Sequence, residues 1–325
     1  MKSVVKKAKG LSPLKRGEKV HKILNQEFIK NLESIQVSIK NGEDISKHLN
    51  WIKGWVVNEP KNGASGRVYH PLGYNAFLLS FFGNDSLYFT RNWVKKNGGA
   101  IRKDKEGKQA SGFPIQFWKW NERTILEDGK DVEVKGYPVL MFYKVWGLSD
   151  ITGIDKKILE KYLKKGIGYR KARSKNKIAT TWLEFAKSEL DMEVVHSNGN
   201  GAYYTPSSHK ITMPKEWKSN EGYWEVLCHE AIHWASKGCG VDLGKSNKGT
   251  KAYAREELVA ELGTCMLCGL LGIDITLDRF ADNIKAYCSS WLKAVANEPD
   301  VLYLAHKEAV KRVNFLTEKL ALLEA

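Results

Sequence analysis

The sequence has no apolar run approaching the roughly 18 residues that a helix needs to cross a bilayer, and this excludes a helical membrane span. Its opening, MKSVVKKAKGLSPLKRGEKVHK, is positively charged but lacks the apolar stretch of roughly 7 to 15 residues found in a secretory signal. The expectation is a soluble, cytoplasmic protein. Cysteine is scarce: the 5 present (Cys228, Cys239, Cys265, Cys268, Cys288) are odd in number and confined to the second half, which excludes a disulfide framework and points to a reducing compartment. Cys265 and Cys268 form a Cys-x-x-Cys, but a zinc ribbon needs a second such pair and there is none. Their small apolar neighbours (LGTCMLCGLLG) make them buried helix thiols. Internal repeats and low-complexity tracts are also missing. So are helix-turn-helix, paired zinc-finger and RNP signatures, so base-specific readout of nucleic acid has no support.

What is present in excess is positive charge. Lys and Arg number 52 against 37 Asp and Glu, a net +15, with a pI near 9.4. Residues 1–177 hold 36 basic and 17 acidic side chains, +19, whereas residues 178–325 hold 16 and 20, −4. One basic run would be only a solvated face. An asymmetry of this size gives the two halves different work, with a polyanion as the natural partner of the first. A length of 325 residues favours two domains, and 42% hydrophobic content argues against wholesale disorder.

Residues 1–16 read as a basic flexible arm. Residues 17–40 place Val20, Leu24, Phe28, Leu32 and Ile35 at helical spacing, an amphipathic helix. From Trp51 to Trp146, short aromatic and β-branched segments (GWVVNEP, FLLSFF, FPIQFWKW, YPVLMFYKVWGL) broken by Asn-Gly and Gly-Gly pairs predict strands of a small mixed sheet. Lys156 to Lys177, with ten basic residues and one Glu, reads as a short helix and a basic linker. Beyond it a helix is predicted over 179–191 and a strand pair or edge strand over 202–214, with helices after that. The expected class is α+β with two domains: a small mixed α/β domain at 17–155, the linker at 156–177, and a mostly helical domain at 178–325.

The second domain carries its chemistry in EGYWEVLCHEAIHWASK, residues 221–237. At about 3.6 residues per turn, His229 and His233 lie on one helical face and can ligate one Zn²⁺, the His-Glu-x-x-His arrangement of zinc peptidases. Glu230 is then the general base that takes a proton from water attacking a carbonyl. The helix KAYAREELVAELGTCMLCGLLG carries Glu256, Glu257 and Glu261. Glu257 is the preferred third ligand and Glu256 the alternative, while Glu261 stands behind a ligand imidazole as hydrogen-bond acceptor, a gluzincin-like His₂Glu site. Tyr203, Tyr204 and His209 are candidates to stabilise an oxyanion. Adjacent strand residues alternate in direction, so at most one of the two tyrosines is expected to face the metal.

In the first half, Trp51, Trp55, Trp93, Trp118, Trp120 and Trp146 lie among Lys and Arg. Aromatic faces in a positive groove bind single-stranded nucleic acid by stacking bases. The segment NWVKKNGGAIRKDKEGK fits such a groove: Gly98 and Gly99 make a turn, and Arg102, Lys103, Lys105 and Lys108 follow. Most of the six tryptophans belong to the core, with one or two exposed. Binding of this kind is sensitive to salt and tolerant of sequence.

From about Trp51 to its end the chain resembles the ArdC-type antirestriction proteins of plasmids and phages. The likeness rests on NGASGRVY (Asn62 to Tyr69), Gly73-Tyr74-Asn75, Trp93, the stretch Gly98 to Lys103 and WGLSDITGI in the first half. In the second it rests on AYYTPSSHKITMP, HEAIHW, YAREELVAELG and SSWLKAV. It implies an N-terminal single-stranded DNA-binding domain and a C-terminal zincin-like metallopeptidase domain, carried by mobile elements to protect incoming DNA from host restriction. It also implies zinc on His229 and His233, Glu230 as catalytic glutamate, and a DNA surface near Arg67, Tyr69, Arg102 and Lys103, to which the reading of the basic aromatic segment adds Trp93, Lys105 and Lys108 as DNA-binding candidates. Two positions depart from the pattern: His209 stands where the family has an acidic residue, and Asp104 where it has a glycine. Two other readings are a metallopeptidase whose basic half recruits an acidic protein substrate, and a DNA-coating protein whose zinc site is not catalytic.

Overall fold

The computed structural model describes residues 13–45, 60–160, 175–244 and 250–320, apart from 71, 83–84, 128–129, 274, 276–287, 290, 294–295, 297, 299 and 319. The first element, α1 (Pro13–Lys40), begins inside the stretch expected as a flexible arm. Pro13 suits its first turn, where a missing N–H leaves no hydrogen bond unmade. Val20, Leu24, Phe28, Leu32 and Ile35 are all buried, each contributing about 1.5–3 kcal/mol by leaving water.

The aromatic region forms β1 (Lys61–Asn62), α2 (Tyr74–Phe82), β2 (Leu87–Thr90), α3 (Arg91–Lys96), β3 (Ala100–Ile101), β4 (Phe113–Glu127), β5 (Lys130–Gly147) and β6 (Ile151–Thr152). A four-stranded sheet runs β1-β2-β5-β4, and β3 pairs with β6. The sheet is mixed, since β1 and β2 are parallel and the remaining pairs antiparallel. FPIQFWKW lies in β4 and YPVLMFYKVWGL mostly in β5, the two longest strands. FLLSFF, expected as a strand, is instead helical within α2. Five apolar residues interrupted only by Ser80 carry no period to separate a buried strand from a buried helix. Here Phe77, Leu78 and Leu79 are all buried, as a helix that is apolar all round must be. GWVVNEP lies outside the described residues except for Pro60.

Residues 156–160 are helical, and most of the basic linker lies outside the described residues. Then follow α4 (Lys175–Glu189), β7 (Glu193–Ser197), β8 (Tyr203–Thr205), β9 (Lys210–Pro214), α5 (Asn220–Gly238), α6 (Lys251–Leu271) and α7 (Val301–Thr317). A three-stranded sheet runs β7-β9-β8, with β8 antiparallel and β7 parallel to β9. The strand β7 was not expected: it is short, partly exposed, and its apolar residues Val194 and Val195 are adjacent and do not alternate.

One core joins α1 and α2 to α4, β9, α5, α6 and α7. The stripe of α1 therefore packs with the C-terminal helices as well as with the region that follows it in sequence. Asn25 Nδ2 donates to the Glu298 carbonyl at 3.1 Å, and Cys288 Sγ to the Leu32 carbonyl at 3.2 Å. All five cysteines are buried and none forms a disulfide. Among the described residues no helix is long and apolar enough to cross a membrane.

Candidate metal centre

The helix α5 begins where Ser219 accepts a hydrogen bond from Gly222 N at 3.0 Å, and α6 where Thr250 accepts from Tyr253 N at 3.2 Å. Each cap satisfies an N–H that the first turn leaves open. Gly272, at φ +69°, ends α6 in the left-handed conformation. The two helices pack closely at Gly263, where a Cβ would stand 2.8 Å from Ile232 Cδ1. Glycine at this position lets α6 bring its carboxylates to the histidines of α5.

The imidazoles of His229 and His233 turn their Nε2 atoms toward each other, 3.3 Å apart. Glu257 completes the triangle, with its Oε2 3.6 Å from His229 Nε2 and its Oε1 3.8 Å from His233 Nε2. The three groups can converge on a single ion. Tetrahedral ligands about 2.0–2.1 Å from zinc lie roughly 3.3 Å from one another, so the donor spacing fits an ion after small closure.

The opposite nitrogens face carboxylates. His233 Nδ1 lies 2.8 Å from Glu256 Oε1, and His229 Nδ1 lies 3.3 Å from Glu261 Oε1, the latter without the alignment of a hydrogen bond. A proton on Nδ1 leaves Nε2 with the lone pair a metal requires, and this is the tautomer such backing carboxylates select. Glu261 therefore stands behind His229. Glu256, the alternative third ligand, instead backs His233. It is held from behind by Arg312 of α7, whose Nη2 donates to Glu256 Oε2 at 2.8 Å and whose Nη1 donates to Glu256 Oε1. The same guanidinium reaches the Ile232 carbonyl at 3.3 Å and Glu308 Oε1 at 3.3 Å. Arg312 was not expected in the site. Its signal was available: Ala305, Ala309, Arg312 and Leu316 share one face of α7, and an arginine on an apolar stripe needs a buried anion.

Burial disfavours charge on all these groups, yet their mutual contacts prevail. For Glu256, burial would raise the pKa, but the hydrogen bonds from His233 and Arg312 and their charges hold it at about 2. For His233, burial would lower it, but Glu256, Glu257 and Glu230 carry it to about 9. The carboxyl of Glu257 also sits below its usual range, since His229 and His233 outweigh burial.

The histidines, Glu230 and Glu257 line a cleft of about 890 Å³. Its wall includes Tyr203 and Tyr204 of β8. Tyr203 is exposed, whereas Tyr204 is half-buried and its hydroxyl lies 2.9 Å from His209 Nδ1. His209 has a left-handed φ of 52°, stacks on Trp234 with ring centroids 4.7 Å apart, and accepts a hydrogen bond on its carbonyl from Trp234 Nε1.

The residues assigned to DNA fall on three segments. Arg67 is exposed, but Tyr69 packs against the Leu79, Tyr88 and Ile115 cluster, its hydroxyl buried. Trp93 stacks on Phe89 at 4.3 Å and is half-buried. Arg102, Lys103, Lys105 and Lys108 are all exposed on one loop. Asp104 shapes that loop by accepting from the backbone N–H of Glu106 at 3.0 Å and of Lys108 at 2.8 Å. Of the six tryptophans, Trp118 and Trp120 are exposed and Trp146 buried, while Trp51 and Trp55 lie outside the described residues.

Comparison with known proteins places this geometry. Residues 183–308 match the zincin-like metallopeptidase family, the part that holds α5 and α6. Over 288 residues, 80% of this chain, the sequence is 27% identical to the DNA primase TraC of Escherichia coli, of whose length it spans 18%. The fold is similar to the crystal structure of the antirestriction protein ArdC from plasmid R388 in its metal-free form, at 26% identity and a TM-score of 0.56 over 89% of this chain and 96% of that one. The Mn(II)-bound form of that protein matches at the same identity and TM-score, over 91% and 97%. The likenesses and the three convergent side chains indicate a divalent metal.

Proposed function

From a chain that is ArdC-type in sequence and fold and carries a zincin-like metallopeptidase domain, we propose a mobile-element protein that binds single-stranded DNA and cleaves peptide bonds with zinc. Residues 17–155 hold the DNA, residues 178–325 form the peptidase, and the protein protects incoming DNA from restriction in the cytoplasm. The observation that carries the peptidase reading is the closure of His229 Nε2, His233 Nε2 and the Glu257 carboxylate on one point, with Glu230 on the same cleft. Two imidazoles, one carboxylate and an open side suit zinc in a catalytic setting.

A bound zinc ion supplies Lewis acidity and lowers the pKa of water to about 7. The protein's own groups do the rest. Glu230 accepts the proton of the attacking water and returns it to the leaving amine. Glu256 keeps the His233 Nδ1 atom protonated and its ring aimed, and Glu261 stands 3.3 Å from His229 Nδ1 on the corresponding side of the other ring. Tyr204, its hydroxyl paired with His209, offers a donor to the developing oxyanion when His209 Nδ1 carries the proton. In the basic half, the loop Arg102 to Lys108 supplies exposed cations for phosphates.

Elemental analysis tests the metal directly. Wild type is expected to retain one zinc per chain, and His233→Ala and Glu257→Ala to lose it. Glu230→Ala should keep the metal and lose hydrolysis of a peptide library. Equal metal content in all four proteins would end the reading. Gel shifts with single- and double-stranded DNA at rising salt test the other half, and the absence of a single-strand preference would remove it.

A further inference from the structure

Three of the exposed large apolar side chains lie together on β4: Phe117 at 37% exposure, Trp118 at 60% and Trp120 at 53%. An indole left in water forfeits burial worth about 25 cal/mol per Å², so neighbouring exposed indoles mark a surface that meets something. Trp118 and Trp120 are two positions apart and project from the same face, roughly 6.8 Å from each other along the strand. Their cross-strand partners Leu140 and Pro138 continue that face. Nearer the base of the hairpin the face carries Phe142, which packs against the main core. The aromatic strip thus begins where the hairpin leaves that core. A register shift between Trp120 and Glu122 marks a β-bulge beside it, a feature that bends a strand and re-aims its side chains.

We propose that the Trp118–Trp120 face of the β4–β5 hairpin is the platform on which bases of single-stranded DNA stack. This rests on the DNA reading above and relocates its aromatic component. Among the seven residues assigned to DNA, Tyr69 and Trp93 are packed inward, so the basic loop has cations but no open ring. The hairpin has open rings on one face. The two features adjoin in the chain. Lys144 Nζ of β5 donates to the Ser111 carbonyl at 2.7 Å and Trp146 Nε1 to the Ala110 carbonyl at 2.9 Å, which ties the end of the basic loop to the hairpin's base. A polyanion with free planar bases uses both features. A duplex hides its base faces, and an acidic protein has no call for a pair of indoles. A second copy would set one strongly basic half, +19 over residues 1–177, against another.

The test uses the full chain and a fluorescent oligothymidine of about 20 nucleotides, longer than the roughly 4–16 nucleotides that one single-strand-binding fold covers. Trp118→Ala and Trp120→Ala should each weaken binding by about 5- to 150-fold, the equivalent of one lost stack. The slope of affinity against salt should stay unchanged, because no phosphate contact is removed. Trp118→Phe and Trp120→Phe should recover most of the loss, and thermal unfolding of all four variants should match wild type, since the rings are not core. Lys103→Ala with Lys105→Ala should do the reverse, lowering the salt slope. If the double Trp→Ala variant binds oligothymidine as wild type does, the platform is wrong while the DNA reading stands. If wild type itself shows no single-strand preference, the DNA reading fails and the platform with it. Sedimentation showing a dimer that the Trp→Ala variants dissociate would assign the strip to a second copy and overturn the proposal.

Discussion

Replacing Arg312 by methionine isolates the support behind the metal centre. The arginine side chain is 1% exposed and the Glu256 carboxylate beside it 9%. Methionine fills most of the aliphatic stem, so little cavity forms, but it removes four hydrogen bonds. It leaves a buried carboxylate with His233 as its remaining partner. Removing one member of a buried ion pair costs about 3–5 kcal/mol, because the other charge stays buried. At about 2–4 °C per kcal/mol for a domain of this size, the unfolding midpoint should fall by roughly 6–20 °C. Glu256→Gln alone should also destabilise, by stranding Arg312. The double variant should be less damaged than the sum of the two, with a coupling above about 1 kcal/mol. Metal affinity supplies a second readout: a histidine whose backing carboxylate loses its anchor should bind about 10- to 100-fold more weakly in chelator competition. A midpoint within about 2 °C of wild type, or strict additivity in the cycle, would show that the pair does not brace His233.

Two other outcomes are expected. His306 is buried against Tyr74 and Phe77, its Nε2 has no partner, and burial pushes its pKa down to about 3. A neutral folded imidazole that ionises near 6.5 when unfolded gives full stability above that pH and loses it as pH falls toward 3. Between pH 7 and 5 wild type should therefore lose about 2 kcal/mol more than His306→Phe in urea unfolding, and parallel pH curves would refute this. A fragment of residues 178–325 should unfold without a cooperative transition and take up metal poorly, because it lacks the five apolar side chains that α1 places in the shared core. A sharp transition with wild-type metal stoichiometry would show instead that the C-terminal part stands alone.

How much of the fold could be read in advance depended on periodicity. The α1 stripe at 3 to 4-residue spacing repeats with the helical period, and the β4 and β5 runs are rich in β-branched and aromatic residues between turn signals; each became the expected element. FLLSFF has no period, and its surroundings decided for a helix. The amphipathic pattern of α1 showed that one face is buried but could not show against what. Its contact with Cys288 and Glu298 spans more than 250 residues of sequence. The exposure of Trp118 and Trp120 was equally unreadable, because tryptophan on an alternating strand has the same pattern whether the sheet is covered or bare.

At the metal centre, the division between Glu256 and Glu257 shows where sequence reasoning runs out. Neighbouring helical residues differ by about 100°, and both of these point toward α5 closely enough to reach a histidine. The pairing of Glu261 with His229 and of Glu256 with His233 requires α5 and α6 to run antiparallel, so the α6 residue near the middle of the crossing, Glu257, meets both Nε2 atoms. That leaves Glu256 turned past His233, and a third helix settles its role. A carboxylate held at both oxygens by one guanidinium, with Oε1 also paired to Nδ1 of His233, sits on the side of that ring opposite the Nε2 atoms that face Glu257. Arg312, distant in sequence by 56 residues, thereby makes Glu256 a brace for His233, and on the proposed reading Glu257 is the residue left to act as ligand.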